Sequence, residues 1–286
     1  MGNRNREQGQ SQTVAASPDG GEFSLISNDK LVALYRNLLL CRAAPGRGAL
    51  SNGHSSPQRG VEAALVGAAI DLGPGDVVCS RVHGLVPGVP GATLEKLLLA
   101  ANRHQQPGTV RGVKMQAVAA TRNGFAHSLD DTAFTHVALG TALTHKTKKN
   151  GKVAVVFYAE ETDSVGEALE IATVHALPVI FVNQLNGNAE KRARKPRSPE
   201  KKESPWFPSI TVDGNDVVAV YRVAGEAISR ARLGRGPTLI ECRPFHLTGQ
   251  NGRHLHDPIR NMEHYLRAKG LFHPELKRDV IAAALK

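Results

Sequence analysis

The chain has 286 residues, of which 41% are hydrophobic and 22% charged, so it is long and apolar enough for one large α/β domain or two small ones. Aromatic residues make up only 5%, which argues against a small all-β domain built on aromatic packing. Of the net charge of +10, residues 190–203 carry +4, from seven Lys/Arg and three Glu, and the rest is spread along the chain. Few aromatic residues lie near this basic segment, so nucleic-acid binding is not the favoured interpretation.

Cysteine content and the lengths of apolar runs indicate the cellular compartment of the protein. Three cysteines cannot all pair and show no CxxC spacing, which argues for a reducing compartment and against a structural zinc site. The apolar runs are shorter than the roughly 20 residues that a membrane span requires. Residues 1–27 are polar and lack the apolar core of a signal peptide. We therefore expect a cytoplasmic protein with a disordered tail over residues 1–27 and a single domain over residues 28–286.

The first half of the chain has mainly helical periodicity. We expect helices over residues 30–40, 60–70, 93–101 and 133–145, a short strand over 77–79, and loops over 45–57 and 102–130. Asn28 or Asp29 is the expected cap of the first helix. A charged turn, 146–152, is expected to end the fourth helix.

The second half alternates strands with helices. Continuous apolar runs predict strands over 153–158, 179–182, 210–212 and 238–242, and periodicity predicts helices over 165–176 and 216–233. Asn215 or Asp216 is the expected cap of the last helix. Strands joined by crossover helices run parallel, so the fold class is α/β, a mostly parallel sheet covered by helices on both faces.

Polar side chains follow the first two strands of the second half. Glu160 and Glu161 come after the first of these strands, and Asn186 follows the second. Ligands of open α/β sheets bind beyond the carboxyl ends of the strands, and carboxylate and amide oxygens there suit Mg²⁺ held together with a diphosphate. Acidic residues are also favoured at helix N-termini, and spacing alone favours that second interpretation of Glu160 and Glu161.

Several motifs occur in the same order as in the α-subunits of thiamine-diphosphate-dependent 2-oxo acid dehydrogenases. The segment 153–188 resembles that family's cofactor motif, in which a strand ends in Gly-Asp-Gly, a helix follows, and a second strand ends in Asn-Asn. Further similar stretches are Gly60-Val61-Glu62-Ala63, Arg81-Val82-His83-Gly84, Val212-Asp213-Gly214-Asn215-Asp216, Gly236-Pro237-Thr238-Leu239-Ile240-Glu241 and Asp257-Pro258-Ile259. The resemblance extends over residues 30–270 and implies the same α/β fold.

This resemblance implies roles for six residues and assigns no catalytic residue. Metal-binding positions fall on Glu160, Asn186 and Asn188, and cofactor-binding positions on Arg81, Thr135, Glu160, Asn186 and Gln250. Arg81 stands where the family has a phosphate-binding Arg. Gln250 stands where it has a phosphate-contacting His, and Thr135 is more polar than the family's stretch against the cofactor ring.

The cofactor motif departs from the family pattern. Ala159-Glu160-Glu161 replaces Gly-Asp-Gly, and Leu185 replaces the first Asn. Glu160 keeps a carboxylate for the metal, but the missing glycines would have let the backbone approach the diphosphate closely. Glu161 places a negative side chain beside that anion.

The resemblance implies an oxidoreductase that uses thiamine diphosphate and Mg²⁺ to decarboxylate a 2-oxo acid and passes the acyl group to a lipoyl disulfide. It also implies a β-subunit, an α₂β₂ assembly and a lipoyl-bearing acyltransferase as partners. Two alternatives stay open: a catalytically silent relative with a structural or regulatory role, and a basic protein that holds anionic partners such as nucleic acid through residues 191–195. His254 and His256 do not share a helix face, which weakens a zinc interpretation.

Overall fold

A computed structural model describes residues 26–43, 61–80, 131–158, 163–184, 207–243 and 257–285. Ile26 is already buried in the core, so packing in the described structure begins at this residue. Among the helices in these ranges, none combines the length and apolar character needed to cross a membrane.

One parallel sheet of five strands forms the centre of the described structure. Its strands are β1 (Val77–Ser80), β2 (Ala154–Tyr158), β3 (Val179–Gln184), β4 (Ser209–Asp213) and β5 (Thr238–Arg243). The strand order is β1-β2-β3-β5-β4, and every neighbouring pair is parallel. β2 and β3 are buried along their whole length, which explains their continuous apolar sequence.

Helices cover both faces of this sheet. The described helices are α1 (Asn28–Ala43), α2 (Glu62–Ala69), α3 (Asp131–Lys148), α4 (Asp163–Val174), α5 (Val217–Arg232), α6 (Pro258–Ala268) and α7 (Pro274–Leu285). α3 and α4 pack on one face, together with Val156 and Phe181 of the sheet. α2 and α5 pack on the opposite face, together with Val155 and Ile180. α1 packs against α2 and α5, and α6 and α7 pack against α1. The expected α/β fold class is therefore confirmed.

Strand and helix boundaries agree with the sequence prediction apart from local differences. β3 is two residues longer than predicted and includes Asn183 and Gln184. α3 continues to Lys148, into the stretch predicted as a charged turn. The cap prediction for α1 is wrong: Ser27 Oγ accepts a hydrogen bond from the Lys30 amide at 3.3 Å, and the helix already includes Asn28.

The cap of α5 agrees with the prediction. Asp216 Oδ1 accepts hydrogen bonds from the amides of Val218 and Ala219, at 2.9 and 3.1 Å. Other predictions fall outside the described residues, namely the tail before Ile26, the helix over 93–101, the loop over 102–130 and the basic segment 190–203.

The C-terminal helices α6 and α7 are absent from the sequence prediction. They pack against α1, where the Tyr35 hydroxyl donates a hydrogen bond to Glu263 Oε1 at 2.9 Å. Lys277 Nζ on α7 lies 2.9 Å from the same carboxylate oxygen. Arg267 Nη2 lies 3.6 Å from Glu263 Oε2, so this nearly buried acid has three polar partners and joins three helices.

A glycine brings α2 unusually close to α5. A Cβ atom built on Gly67 would lie 2.8 Å from Val220 Cβ and 2.9 Å from the backbone nitrogen of Tyr221. Since no side chain fits at that distance, the two helix backbones meet here directly. This contact holds the first turns of α5 against α2.

We therefore expect Gly67→Ala to lower the free energy of unfolding by about 1–3 kcal/mol, because overpacking against a backbone atom outweighs the better helix propensity of alanine. The matched control is Gly225→Ala in α5, where an added Cβ has no neighbour within 4 Å. This variant should raise the free energy of unfolding by about 0.5–1 kcal/mol. Urea unfolding of both variants measures the difference. A neutral Gly67→Ala variant would contradict the close contact.

Candidate functional site

The carboxyl ends of the five strands meet at one edge of the sheet, called here the carboxyl edge. The strands end there at Ser80, Tyr158, Gln184, Asp213 and Arg243. Because all five strands run in the same direction, residues far apart in sequence leave the sheet side by side. In open α/β sheets this is the edge at which ligands bind.

The connections between described elements also converge on the carboxyl edge. The segments 81–130, 159–162, 185–206 and 244–256 each follow directly on a strand end at this edge. α4 and α5 begin there, because they come after the carboxyl ends of β2 and β4. Helix N-termini carry partial positive charge and free amide donors, so the edge favours an anionic ligand.

Two buried amide side chains end β3 at this edge. Asn183 and Gln184 are each only 1% exposed, and as successive residues of a strand they point to opposite faces of the sheet. Asn183 Oδ1, Gln184 Oε1 and Gln184 Nε2 have no hydrogen-bond partner among the described residues. A buried amide without a partner costs about 1–3 kcal/mol, so these groups point to an additional polar partner at the edge.

Asn183 belongs to a polar row that crosses the sheet. Tyr158, Asn183, Glu241 and Thr211 lie level with one another in adjacent strands and therefore face the same side. Thr211 Oγ1 donates a hydrogen bond to Glu241 Oε2 at 3.0 Å, and Arg243 Nη2 contacts the same oxygen at 3.0 Å. The row is thus tied together at the β4 and β5 end.

Only one of the six residues with expected roles lies within the described residues. Thr135 is 1% exposed in the second turn of α3. It shares the sheet-facing side with Ala138 and Ala142, at three- and seven-residue spacing. Since α3 leads into the amino end of β2 through residues 149–153, its first turns point towards the carboxyl edge.

The other five residues with expected roles lie outside the described ranges: Arg81, Glu160, Asn186, Asn188 and Gln250. Three of them are close in sequence to described strand ends. Arg81 directly follows β1, Glu160 comes two residues after β2, and Asn186 comes two residues after β3. The parallel pairing of Tyr158 with Asn183 brings the ends of β2 and β3 together.

Asn183 and Gln184 are the residues that the sequence interpretation missed. Both were placed beyond the end of a strand, where polar residues are ordinary. The structure instead includes them in β3, buried and in register with β2 and β5. The available signal was two consecutive amide residues directly after four apolar residues. If such a strand end is buried, its amide side chains need hydrogen-bond partners.

Two buried cysteines near the edge do not supply a nucleophile. Burial raises the pKa of Cys79 to about 12, and burial with the nearby charge of Asp213 raises the pKa of Cys242 to about 12. The thiolate is the reactive form, so both side chains are inert at neutral pH.

An ion-pair network of Arg42, Glu62 and Asp257 joins three helices near the same edge. Arg42 Nε lies 3.1 Å from Glu62 Oε1, and Arg42 Nη1 lies 2.8 Å from Asp257 Oδ2. Burial by itself lowers the pKa of Arg42, but the hydrogen bond to Asp257 and the charge of Glu62 outweigh burial and raise that pKa. For Asp257, burial raises the pKa, whereas the hydrogen bond and charge of Arg42 bring it below its usual value.

Sequence comparison relates this arrangement to proteins of known type. Residues 49–258 match a family described as "Dehydrogenase E1 component". The chain is 32% identical to the pyruvate dehydrogenase E1 component subunit alpha of Porphyra purpurea over 262 residues, which cover 82% of this chain and 74% of that protein. It is 29% identical to the 2-oxoisovalerate dehydrogenase subunit alpha of Bacillus subtilis over an alignment of 296 positions, which covers 90% of this chain and 87% of that protein.

A shorter match has higher identity. The chain is 40% identical over 117 residues to the alpha subunit of the acetoin:2,6-dichlorophenolindophenol oxidoreductase of Bacillus subtilis. That match covers 38% of this chain and 35% of that protein. The relatives therefore share the description as alpha subunits, while their printed names differ in substrate.

The unpaired amide of Gln184 gives a direct test of the site. We expect Gln184→Met to raise the free energy of unfolding of the ligand-free chain by about 1 kcal/mol, because a side chain of similar shape removes an unsatisfied polar group. Thr238→Val, which removes another unpaired buried oxygen at the opposite edge of the sheet, is the control.

Urea unfolding with and without Mg²⁺-pyrophosphate measures both variants. Only Gln184→Met should lose part of the stabilisation by the anion. Destabilisation of the ligand-free chain by Gln184→Met would show that this amide already has a partner.

Proposed function

The chain belongs to the family of dehydrogenase E1 components, and from that membership we propose that it is the α-type subunit of a thiamine-diphosphate-dependent dehydrogenase that decarboxylates a 2-oxo acid. The observation that carries the proposal is the carboxyl edge, where the ends of β2 and β3 lie side by side. Buried, unpaired amide groups of Asn183 and Gln184 lie at that point. A diphosphate bound there would accept a hydrogen bond from Gln184 Nε2, whereas the two amide oxygens need a donor or a metal ion.

The metal part of the proposed site consists of oxygen ligands. Glu160 and Asn186, with Asn188, would hold Mg²⁺, which prefers carboxylate and amide oxygens. Glu160 and Asn186 each lie two residues beyond a described strand end, and the two strands are adjacent in the sheet. Because the strand ends that they follow are adjacent, we assign both residues to one metal ion.

The diphosphate and ring contacts would come from other elements of the edge. Arg81, which follows β1, and Gln250, which lies beyond β5, would bind the diphosphate, and Gln250 would do so without charge. Thr135 in α3 would lie against the cofactor ring. When bound, thiamine diphosphate supplies the carbon nucleophile and the electron sink for decarboxylation. The chain's own residues bind and orient it and neutralise its charge.

A β-type chain is the proposed partner, because the similar proteins are alpha subunits by name. We place the two chains in an α₂β₂ assembly that passes its acyl group to a lipoyl-bearing acyltransferase. Acetoin belongs beside the 2-oxo acids in any substrate panel, since one similar alpha subunit is named for it.

A catalytically silent relative is the second candidate, and a specific sequence feature favours it. Ala159-Glu160-Glu161 replaces the two glycines that permit close backbone approach to a diphosphate. Glu161 also adds a negative charge next to an anion. Such a chain would retain its partner and fold without holding the cofactor.

Native mass spectrometry separates the two candidates. The tagged full chain is purified from its own cells in buffer with Mg²⁺ and thiamine diphosphate. We expect a heteromeric complex that carries thiamine diphosphate and turns over pyruvate, a branched-chain 2-oxo acid or acetoin. A stable complex without bound cofactor would instead support the silent relative.

The metal assignment predicts opposite behaviour of two neighbouring carboxylates. In that complex, Glu160→Ala should weaken Mg²⁺-dependent binding of thiamine diphosphate by about a hundredfold or more, because even the groups that only support a metal ligand contribute tenfold to a hundredfold. Glu161→Ala is the matched control and should leave binding unchanged or tighten it, since it removes a repulsive charge. Calorimetric titration in Mg²⁺ and in EDTA measures both. Unchanged binding in Glu160→Ala would place the metal elsewhere.

A further inference from the structure

Arg42 makes contacts that no part of the proposed cofactor site requires. It lies in the last turn of α1 and donates to acceptors on two other helices through different nitrogens. Its Nε reaches Glu62 Oε1 on α2 at 3.1 Å, and its Nη1 reaches Asp257 Oδ2 at the start of α6 at 2.8 Å. One planar guanidinium thus fixes the relative position of two helix starts, which a single-point ammonium group would not do.

Burial makes this network necessary for the two helix starts. The Glu62 side chain is only 2% exposed, and a buried carboxylate is costly unless it is paired. Arg42 and Asp257 are each about one-quarter exposed, so the network extends from the core towards the solvent. Arg42 Nη2 is buried without a hydrogen-bond partner among the described residues.

The network lies at the carboxyl edge. Asn261, in the first turn of α6, donates from Nδ2 to the backbone oxygen of Asn215 at 3.4 Å, and Asn215 stands between β4 and α5 at this edge. The start of α2 points the same way, because α2 leads through residues 70–76 into the amino end of β1. Both helix starts held by Arg42 therefore border the proposed cofactor site.

The three residues of the network flank two segments of the chain that connect described elements. Arg42 and Glu62 stand on either side of residues 44–60, and Asp257 directly follows residues 244–256, which include Gln250. The same guanidinium therefore holds both ends of one connection and one end of another.

We propose that Arg42 is a positioning residue: by joining Glu62 to Asp257 it couples the first turns of α2 and α6, two helix starts that border the carboxyl edge. Its effect on cofactor affinity rests on the proposed function. The coupling of the two helix starts does not.

The structure allows the ion pair to be removed without removing the helix cap. Asp257 uses its two oxygens separately: Oδ1 accepts from the Ile259 amide at 3.0 Å, and Oδ2 accepts from Arg42. Asp257→Asn keeps a good N-cap residue while it removes the charged acceptor of Arg42. Asp216→Asn is the matched control, because Asp216 caps α5 in the same way and has no ion pair among those identified in the described part of the chain.

The first readout is hydrogen exchange of the holo complex and of the cofactor-free chain. We expect Asp257→Asn to speed amide exchange in the first turns of both α6 and α2 by about tenfold, although Asp257 itself caps only α6. Arg42→Lys should produce the same pattern, because an ammonium group cannot hold both carboxylates with the geometry of the fork. Asp216→Asn should leave α2 and α6 unchanged.

The second readout is cofactor binding and turnover in the holo complex. Asp257→Asn and Arg42→Lys should each raise the dissociation constant of thiamine diphosphate by about tenfold, and kcat at saturating cofactor should stay within twofold of the unmodified protein. The double variant should be little worse than either single one, because both break the same network. If Arg42 had only a structural role, the variants would have a lower Tm, but the dissociation constant of the cofactor would not rise while kcat stayed the same.

Two results would overturn the proposal, and each differs from failure of the proposed function. Unchanged exchange at α2 in Asp257→Asn would show that Arg42 does not couple the helices, whatever the cofactor does. Unchanged cofactor affinity in both variants, with normal binding by the unmodified chain, would show that the coupling does not serve the site. If the unmodified complex binds no thiamine diphosphate, the proposed function fails, and hydrogen exchange still decides the role of Arg42.

Discussion

Parallel pairing of β2 with β3 places Tyr158 level with Asn183, and the candidate site is built outward from that register. Since all five strands of the sheet run in one direction, their ends meet at one edge together with the starts of α4 and α5. An antiparallel β3 would put Gln184 at the opposite edge and separate the two strand ends. The register therefore brings together chain segments that are distant in sequence, and the apolar cores on both faces hold it in place.

Buried polar groups have partners at one place along the carboxyl edge and lack them, among the described residues, at another. The Arg42 network satisfies a buried carboxylate with a charged donor and so stabilises the arrangement of α1, α2 and α6. Gln184, by contrast, is buried with both amide atoms unpaired among the described residues. Unsatisfied polar groups in an otherwise well-packed core are expected at functional sites, where a ligand completes the hydrogen bonding. A rigid support beside an incomplete polar site is the arrangement that a preorganised binding site requires.

Electrostatics would decide between the two proposed functions. In the proposed site, Arg81 and the helix starts would favour an anion, whereas the charges of Glu160 and Glu161 would oppose it. A bound Mg²⁺ would reverse the contribution of Glu160, because the ion's own charge dominates a diphosphate site. Glu161 keeps its unfavourable sign unless its side chain points into solvent, where screening weakens the repulsion. In the proposed site, the substitution at the second glycine would therefore lower cofactor affinity more than the replacement of Asp by Glu.

The sequence by itself determined the family, the α/β class and the positions of the five strands, and it limited the cap of α5 to Asn215 or Asp216. The family depends on motifs that occur in the same order as in its members. The class, the strands and the cap depend on local signals: continuous apolar runs, helical periodicity and residue types at helix starts. A local signal for α6 was also present, in Asp257 as N-cap with Pro258 behind it and buried residues at Ile259, Met262 and Leu266, but the sequence prediction did not use it.

Only the tertiary structure decided the burial of Asn183 and Gln184, the three-helix contact of Glu263, and the pairing of Arg42 with Glu62 and Asp257. Arg42 is separated from those partners by 20 and 215 residues. Periodicity reports which face of an element is apolar, but it carries no information on which distant polar group that element will meet. The burial of Gln184 depends likewise on neighbouring strands and covering helices, so it is fixed by packing across the sheet and not by the residues on either side of it in the chain.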